Sequence, residues 1–154
     1  LCDTHSMSAA NADGSTVATV IRQALSEAGI TPTDIGSIKV HGTASLLNDE
    51  AEAAGLLQVF KQMPPVCALK PFLGHTLGAC GLSELILMWQ ALAAETPFLP
   101  ATPGIGNDAS ELGLTLNQTH ITPSNDTCLL NYFGFGGNNT ALVMGRGRPR
   151  GKTA

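Results

Sequence analysis

Two histidines sit in nearly identical surroundings, His41 in Val40-His41-Gly42-Thr43 and His75 in Gly74-His75-Thr76. Each follows a short apolar run, which places it at a strand-to-helix junction. There a neutral imidazole can donate an N–H bond to a carbonyl that gains negative charge. One such histidine reads as structural; two at equivalent junctions point to a site. His5 and His120 lack these surroundings and read as surface residues. Lys70 lies five residues before His75 at the end of an apolar run, where an unpaired ammonium is costly, so it needs a carboxylate. Asp49 and Glu52 stand three apart at the start of a helix, and two roles are open for them. Either they complement the helix N-terminus, or Glu52 pairs with Lys70 and fixes the polar network around the histidines. The segment Phe133-Gly134-Phe135-Gly136-Gly137-Asn138 lacks the lysine and following helix of a phosphate loop. It reads as a hairpin turn whose glycines free backbone N–H groups for an oxyanion site. Cys80 falls one turn inside an apolar helix with no base beside it, so it reads as packing and not as a nucleophile.

The elements that must position these residues follow from apolar periodicity. Residues 14–29 set Val17, Val20, Ile21, Leu25 and Ala28 at helical spacing, with Ser15 as the expected N-cap and Gly29 as the stop. Residues 35–40 form a short strand running into His41. A second helix covers 49–60, with Ala53, Leu56, Leu57 and Phe60 on one face. A buried strand over 66–69 ends at Lys70-Pro71, and residues 74–79 open a third helix. Its Leu82, Leu85, Ile86, Leu87, Met88, Trp89, Leu92 and Ala93 cover most of the circumference and predict burial on nearly all sides. Pro97, Pro100, Pro103, Gly104 and Gly106 make the next stretch irregular, and 112–122 is weakly patterned. Residues 128–132 and 140–144 read as strands joined by the tight loop 133–137. The order predicts an α/β fold with mixed strand pairing over 1–145 and a loose tail over 146–154.

The chain has 154 residues, enough to bury one proper core. Only 13% are charged, against roughly 25% in ordinary soluble domains, which excludes charge-driven disorder and a charged helical rod. The glycines have no period of three, so a collagen-like chain is excluded as well. So little polar surface predicts a large contact face. No apolar run reaches the roughly 18 residues of a membrane span, so no membrane partner is expected. A net charge of −4, with basic residues clustered only at Arg146, Arg148, Arg150 and Lys152, argues against nucleic acid. The four cysteines form no Cys-x-x-Cys and the histidines no close pair, so neither a metal site nor a disulfide framework is expected. Cys67 and Cys128 lie in apolar runs and read as reduced core thiols of a cytoplasmic protein. Leu1-Cys2-Asp3 has no initiator methionine and no leader pattern, and reads as the start of a piece of something longer.

Three blocks carry a family resemblance. They are Val40-His41-Gly42-Thr43 with Asp49 and Glu52 eight and eleven residues after His41; Lys70-x-x-x-Gly74-His75-Thr76-x-Gly78-Ala79; and Asn131-x-Phe133-Gly134-Phe135-Gly136-Gly137-x-Asn139. In this order and with these intervals, residues 1–145 resemble the C-terminal half of an elongating β-ketoacyl-acyl-carrier-protein synthase, a thiolase-fold condensing enzyme. The resemblance implies one of two similar halves of a five-layered α-β-α-β-α sandwich that works as a homodimer. A cysteine of the other half takes the acyl group. Malonyl-carrier protein is then decarboxylated to an enolate that attacks it. By the same resemblance His41 and His75 stabilise the enolate, Lys70 orders the site, and Glu52 is its carboxylate partner, with Asp49 and Thr43 in support. The amide and ring of Phe135 act as oxyanion donor and gate, in a loop completed by Phe133, Gly134, Gly136 and Gly137. No resident cofactor is implied, because the phosphopantetheine arm arrives on the acyl carrier protein. The expected partners are that protein, the missing N-terminal half and a second subunit. The chain departs from the family pattern in three places: Ala44-Ser45 replaces Gly-Thr, Tyr132 replaces Ser, and Asn138 replaces Thr. The nucleophile block is absent, so the chain alone is expected to be inactive. A non-catalytic partner of the chain-length-factor type is the competing reading. A thiolase is disfavoured, because the Phe-Gly-Phe loop stands where thiolases carry a second cysteine.

Overall fold

Side chains alternate across the short strands of one sheet, and the apolar residues divide between its faces accordingly. The structure, a computed structural model, describes residues 11–103 and 111–145. Cys2, His5, Gly104, Gly106 and the C-terminal basic cluster lie outside the described residues. The elements in chain order are α1 (Ser15–Ala28), β1 (Ser37–Lys39), α2 (Leu46–Val59), β2 (Val66–Cys67), α3 (Lys70–Leu73), α4 (Cys80–Ala93), β3 (Thr127–Gly134) and β4 (Asn138–Gly145). The sheet runs β2-β1-β3-β4, with β1 parallel to both β2 and β3, and β3 antiparallel to β4. It is the mixed α/β arrangement that the pattern predicts. Ile38, Val66 and Leu129 face one way, into a core built with α1 and α2. Cys67, Cys128 and Leu130 face the other way, into a second core with Met88 and Leu92 of α4. Lys39, one residue after Ile38, turns to the α4 side and bonds Glu84 there.

Packing shifts several boundaries. Helix α1 is capped by Gly14 and not by Ser15. At Gly14 (φ +70) the backbone of α2 passes so close that a Cβ would lie 2.2 Å from the Gly55 nitrogen. The side chain of Asp13 accepts the Ser15 N–H at 2.8 Å instead. Gly29 stops the helix as expected, at φ +67. Helix α2 starts at Leu46, and its buried face holds Ala53 and Leu56 but not Leu57, which is exposed. The contact with α1 at Gly55 sets that face. β2 is two residues long, and Lys70-Pro71 begins the short α3 instead of ending a strand. Segment 112–122, weakly patterned in sequence, joins the edge of the sheet by a single bridge, Val66 to Leu116, and pairs with the stretch after α4 by another, Leu99 to Ile121.

Helix α4 departs most from expectation. It begins at Cys80, after a single tight turn over Leu77–Ala79. Only Cys80, Glu84, Met88, Ala91 and Leu92 are buried, a single face at helical spacing. Leu82 (64% exposed), Ile86, Leu87 and Trp89 point outward. The sheet covers one side of α4, and nothing among the described residues covers the other. No helix among the described residues is long and apolar enough to cross a membrane.

Two tests follow from this packing. A Cβ at Gly55 would meet Val17 at 2.6 Å, whereas one at Gly81 in α4 meets nothing within 4 Å. In chemical denaturation Gly55→Ala is expected to cost about 1–3 kcal/mol by overpacking, and Gly81→Ala to add up to about 1 kcal/mol of helix propensity. Equal effects at the two positions would contradict the close crossing. Trp89 is the sole tryptophan and is 48% exposed. Its fluorescence in the 154-residue chain should therefore be quenched readily by acrylamide, and a shielded Trp89 would refute the open face of α4.

Candidate active site

The parallel strand β1 delivers His41 to the sheet end, where α2 holds the turn that carries it. Glu52, fully enclosed, accepts the His41 N–H at 2.8 Å and the Asn131 side-chain amide at 3.0 Å on one carboxylate oxygen, and the Gly42 N–H at 3.1 Å on the other. Asp49 accepts the Thr43 N–H at 3.3 Å. Neither carboxylate acts simply as a cap of its own helix; both cap the loop in front of it. Burial pushes both carboxyl groups up, and the N–H donors oppose that shift. The loop turns back at Ala44, where φ is +58, a conformation that costs an L-residue roughly 1–2 kcal/mol.

Lys70 does not pair with Glu52. Glu52, from α2, is already occupied by three N–H donors of the His41 loop and β3, and Glu84 comes from α4. One oxygen of Glu84 accepts Lys70 at 3.0 Å and the other accepts Lys39 at 2.5 Å. Lys70 also donates to the His41 carbonyl at 2.5 Å and meets His41 Nδ1 at 3.3 Å. Cys80 donates its S–H to the same Glu84 oxygen at 3.1 Å. Burial and the bond to Glu84 both push this thiol up, so it is a poor nucleophile. Cys67 and Cys128 are fully buried; burial raises both thiols, Cys128 to about 11. All three are free thiols.

An ammonium can only donate, so the contact with Lys70 makes His41 Nδ1 an acceptor and leaves the ring proton on Nε2. Burial holds this imidazole down to about 3, reinforced by the charges of Lys70 and Lys39. His75 is fixed in the same tautomer by another donor, the Leu77 N–H, which reaches its Nδ1 at 3.1 Å. Leu77 takes φ +50 to do so. The two rings meet edge to face with centroids 5.7 Å apart, and Phe133 lies 5.1 Å from His41. Both histidines, Thr43, Phe133, Gly134, Phe135 and Gly137 border one cavity of about 380 Å³. Thr43 Oγ1 is buried with no hydrogen-bond partner in the described structure. Gly136 and Gly137 (φ +74 at each) turn the loop between β3 and β4, and Phe135 at its tip is 74% exposed. His120 is on the surface, as expected, with its ring against Phe98.

The spacing arguments therefore bring His41, His75, Lys70, Thr43 and the glycine loop to one place, and put Asp49 and Glu52 behind it. They miss Lys39, Glu84 and Tyr132. The available signal was a charge in an apolar context: Lys39 is the one charge in Ile38-Lys39-Val40, and Glu84 the one acid in the apolar helix.

Residues 1–105 match the family model for the β-ketoacyl synthase C-terminal domain. The chain is 31% identical to a chloroplastic 3-oxoacyl-[acyl-carrier-protein] synthase I of Arabidopsis thaliana, over 96% of this chain and 32% of the relative. It is also 31% identical to a 3-oxoacyl-[acyl-carrier-protein] synthase 2 of Vibrio cholerae, over 94% and 36%. Among solved structures it is similar to a ketosynthase in complex with its chain length factor from Xenorhabdus doucetiae, at 36% identity and TM-score 0.85, covering 95% of this chain and 37% of that one. A β-ketoacyl synthase from Burkholderia phymatum superposes with TM-score 0.81 at 27% identity. The chain spans about a third of the length of the curated relatives it matches. With two thirds of its residues covered by the family model and its fold shared with ketosynthases, the chain belongs to the β-ketoacyl synthase family, as a C-terminal domain.

Proposed function

We propose that this domain supplies the electrostatic half of the site of a 3-oxoacyl-acyl-carrier-protein synthase, in fatty-acid or polyketide synthesis. In this reading the malonyl thioester, delivered on the phosphopantetheine arm of acyl carrier protein, lies in the cavity with its carbonyl between His41 and His75. Its bond to the carboxylate breaks, CO2 leaves, and the electron pair forms an enolate whose oxygen accepts both Nε2–H bonds. The enolate carbon then attacks an acyl thioester held by a cysteine of the N-terminal half, and the thiolate departs. The glycine loop, with Phe135 at its tip, offers a backbone N–H to the acyl carbonyl and a movable ring at the entrance. The domain itself needs no resident cofactor for these steps.

One observation carries the reading: two imidazoles over a single cavity, each with Nδ1 engaged by a donor, so that each presents Nε2–H. A chain-length-factor type of subunit, used for dimerisation and carrier docking, would have no need of this pair. No cysteine among the described residues borders the cavity, so the nucleophile has to come from elsewhere. The open face of α4 suits the N-terminal half, and a second subunit would complete a cytoplasmic dimer.

Incubated with acyl- and malonyl-carrier protein, the 154-residue chain alone is expected to form no 3-oxoacyl product; product formation would overturn the division of labour. In a longer protein that joins the domain to a nucleophile-bearing half, His75→Ala should lower the condensation rate by about 10²–10³. Activity retained within a few-fold would instead support the non-catalytic partner.

The reading also requires a neutral His41, which has a consequence for stability. Its folded value, about 3, lies below the ordinary 6.5, so below pH 6.5 the unfolded chain binds the extra proton. The contribution is therefore complete above pH 6.5 and is lost as pH falls toward 3, at up to about 1.4 kcal/mol per unit. Urea titrations at pH 7 and pH 5 should show a fall that His41→Gln reduces. An unchanged pH dependence in His41→Gln would show that His41 is not the group responsible.

A further inference from the structure

Lys39 is buried without any surface exposure, and it sits next to a site that already has a lysine. Every proton of both ammonium groups has a place. Lys70 directs its three to Glu84 Oε1, the His41 carbonyl and His41 Nδ1. Lys39 directs two to Glu84 Oε2 and the Asn131 carbonyl, and the third side of its ammonium faces the ring of Tyr132, with Nζ 3.7 Å from the centroid. Glu84 is thus held at both oxygens, Lys39 behind and Lys70 in front, and its carboxylate plane cannot turn without breaking one of the two bonds. The Asn131 carbonyl that takes Lys39 belongs to the residue whose side-chain amide donates to Glu52. One strand position therefore links the two carboxylates.

The charges count the same way. Lys39 and Lys70 bring two positive charges; Glu84, and Glu52 with three N–H donors, bring two negative ones. The balanced set leaves no anion for a protonated His41. Were Lys39 neutral or absent, Glu84 would be free to swing wholly onto Lys70, drawing that ammonium off Nδ1. The buried set would then hold one excess negative charge, which a proton on His41 would cancel.

We infer that Lys39, seated against the Tyr132 ring, is a positioning residue that fixes Glu84 and through it keeps Lys70 on His41 Nδ1, holding His41 in its neutral Nε2–H form. Tyr132, one of the three departures from the family pattern, supplies the third contact that an ammonium at position 39 requires. The phenol oxygen has no hydrogen-bond partner among the described residues, and it is the ring face that Lys39 meets.

The use of a neutral His41 rests on the proposed condensation, but the test reads the imidazole and not the reaction, so either can fail alone. The groups that act on this ring are Lys39 from β1, Lys70 from α3, Glu84 from α4, and His75; Glu52 of α2 is spent on the backbone N–H groups of His41 and Gly42, Asp49 on that of Thr43, and the Cys80 thiol on Glu84. The experiment is a titration of the 154-residue chain labelled with nitrogen-15 in histidine and lysine, followed by NMR. In Lys39→Met, His41 should take up its proton at a pH about one unit higher, a tenfold gain in proton affinity, and its Nδ1 resonance should move from acceptor type toward a tautomer average. Tyr132→Phe keeps the ring and should leave His41 and Lys39 as in the native chain. A His41 titration and tautomer unchanged in Lys39→Met would overturn the assignment, and a shift of Lys39 in Tyr132→Phe would overturn the part given to the ring. Should Lys39→Met not fold, the native chain decides. A Lys39 Nζ that is charged at neutral pH supports the assignment, and a neutral amine there overturns it.

Discussion

The carboxylate of Glu84 is the point at which the two faces of this domain and its chemistry meet. It leaves α4, passes the end of β1, and takes one buried ammonium on each oxygen. Removing these charges from water costs several kcal/mol per ion, and the cost is recovered only because each ammonium finds all its acceptors. The geometry is therefore intolerant of partial loss. Withdrawing any one of Lys39, Lys70 or Glu84 leaves an uncompensated charge at the centre of the structure, which is far more damaging than never having placed the group there. A cluster of this kind is weak support for stability in itself. Its value is that it admits a single arrangement of the residues around it, including the protonation state of His41.

A second carboxylate does different work a short distance away. Glu52 touches no ammonium; it gathers backbone and amide N–H groups and so fixes where the His41 loop begins. The two acids thus divide the task, Glu52 placing the backbone and Glu84 setting the field. Strain marks the result. Ala44 and Leu77 adopt left-handed backbone at the two histidine loops, with φ of 58 and 50. Such conformations persist only where the surroundings over-determine them, and the loops are held by hydrogen bonds from Thr43, next to Ala44, and from Leu77 itself.

How much of this was legible in the sequence depended on distance along the chain. His41, His75, Lys70 and the glycine loop declare themselves locally, by polar residues set beside glycine, threonine or proline after apolar runs and by the glycines of the loop itself. Their convergence follows once the strands are parallel neighbours. The partner of Lys70 is not local. Glu52 and Glu84 are both acids on the faces of nearby helices, and only the side of the sheet from which each helix approaches decides between them. Lys39 was harder still, because a single lysine in a three-residue strand looks like an edge residue turned to water. Helix α4 shows another limit. An all-round apolar helix states that every side is to be covered, but not that its own chain does the covering, and here Leu82, Ile86, Leu87 and Trp89 remain open. The N-terminus of α1 failed for a packing reason: Ser15 is the better capping residue, yet the crossing with α2 needs a glycine, and Gly14 takes the position.

For the proposed condensation, a charge-balanced cluster behind two imidazoles whose Nδ1 atoms are both engaged by donors also fits the electrostatics that decarboxylation asks for. A malonyl thioester carries its negative charge on the carboxylate before reaction and on the thioester oxygen afterwards. A cation in the cavity would attract the substrate's carboxylate as strongly as it attracts the enolate, lowering the ground state along with the transition state, and the rate would gain nothing from it. N–H dipoles aimed at the carbonyl oxygen act on the charge only where it arrives. The two ammonium groups are kept behind His41 and matched by two carboxylates, which removes their net charge from the cavity while their protons still fix the tautomer. In the proposed reaction the buried lysines would therefore serve best when they are not felt by the substrate as charges at all.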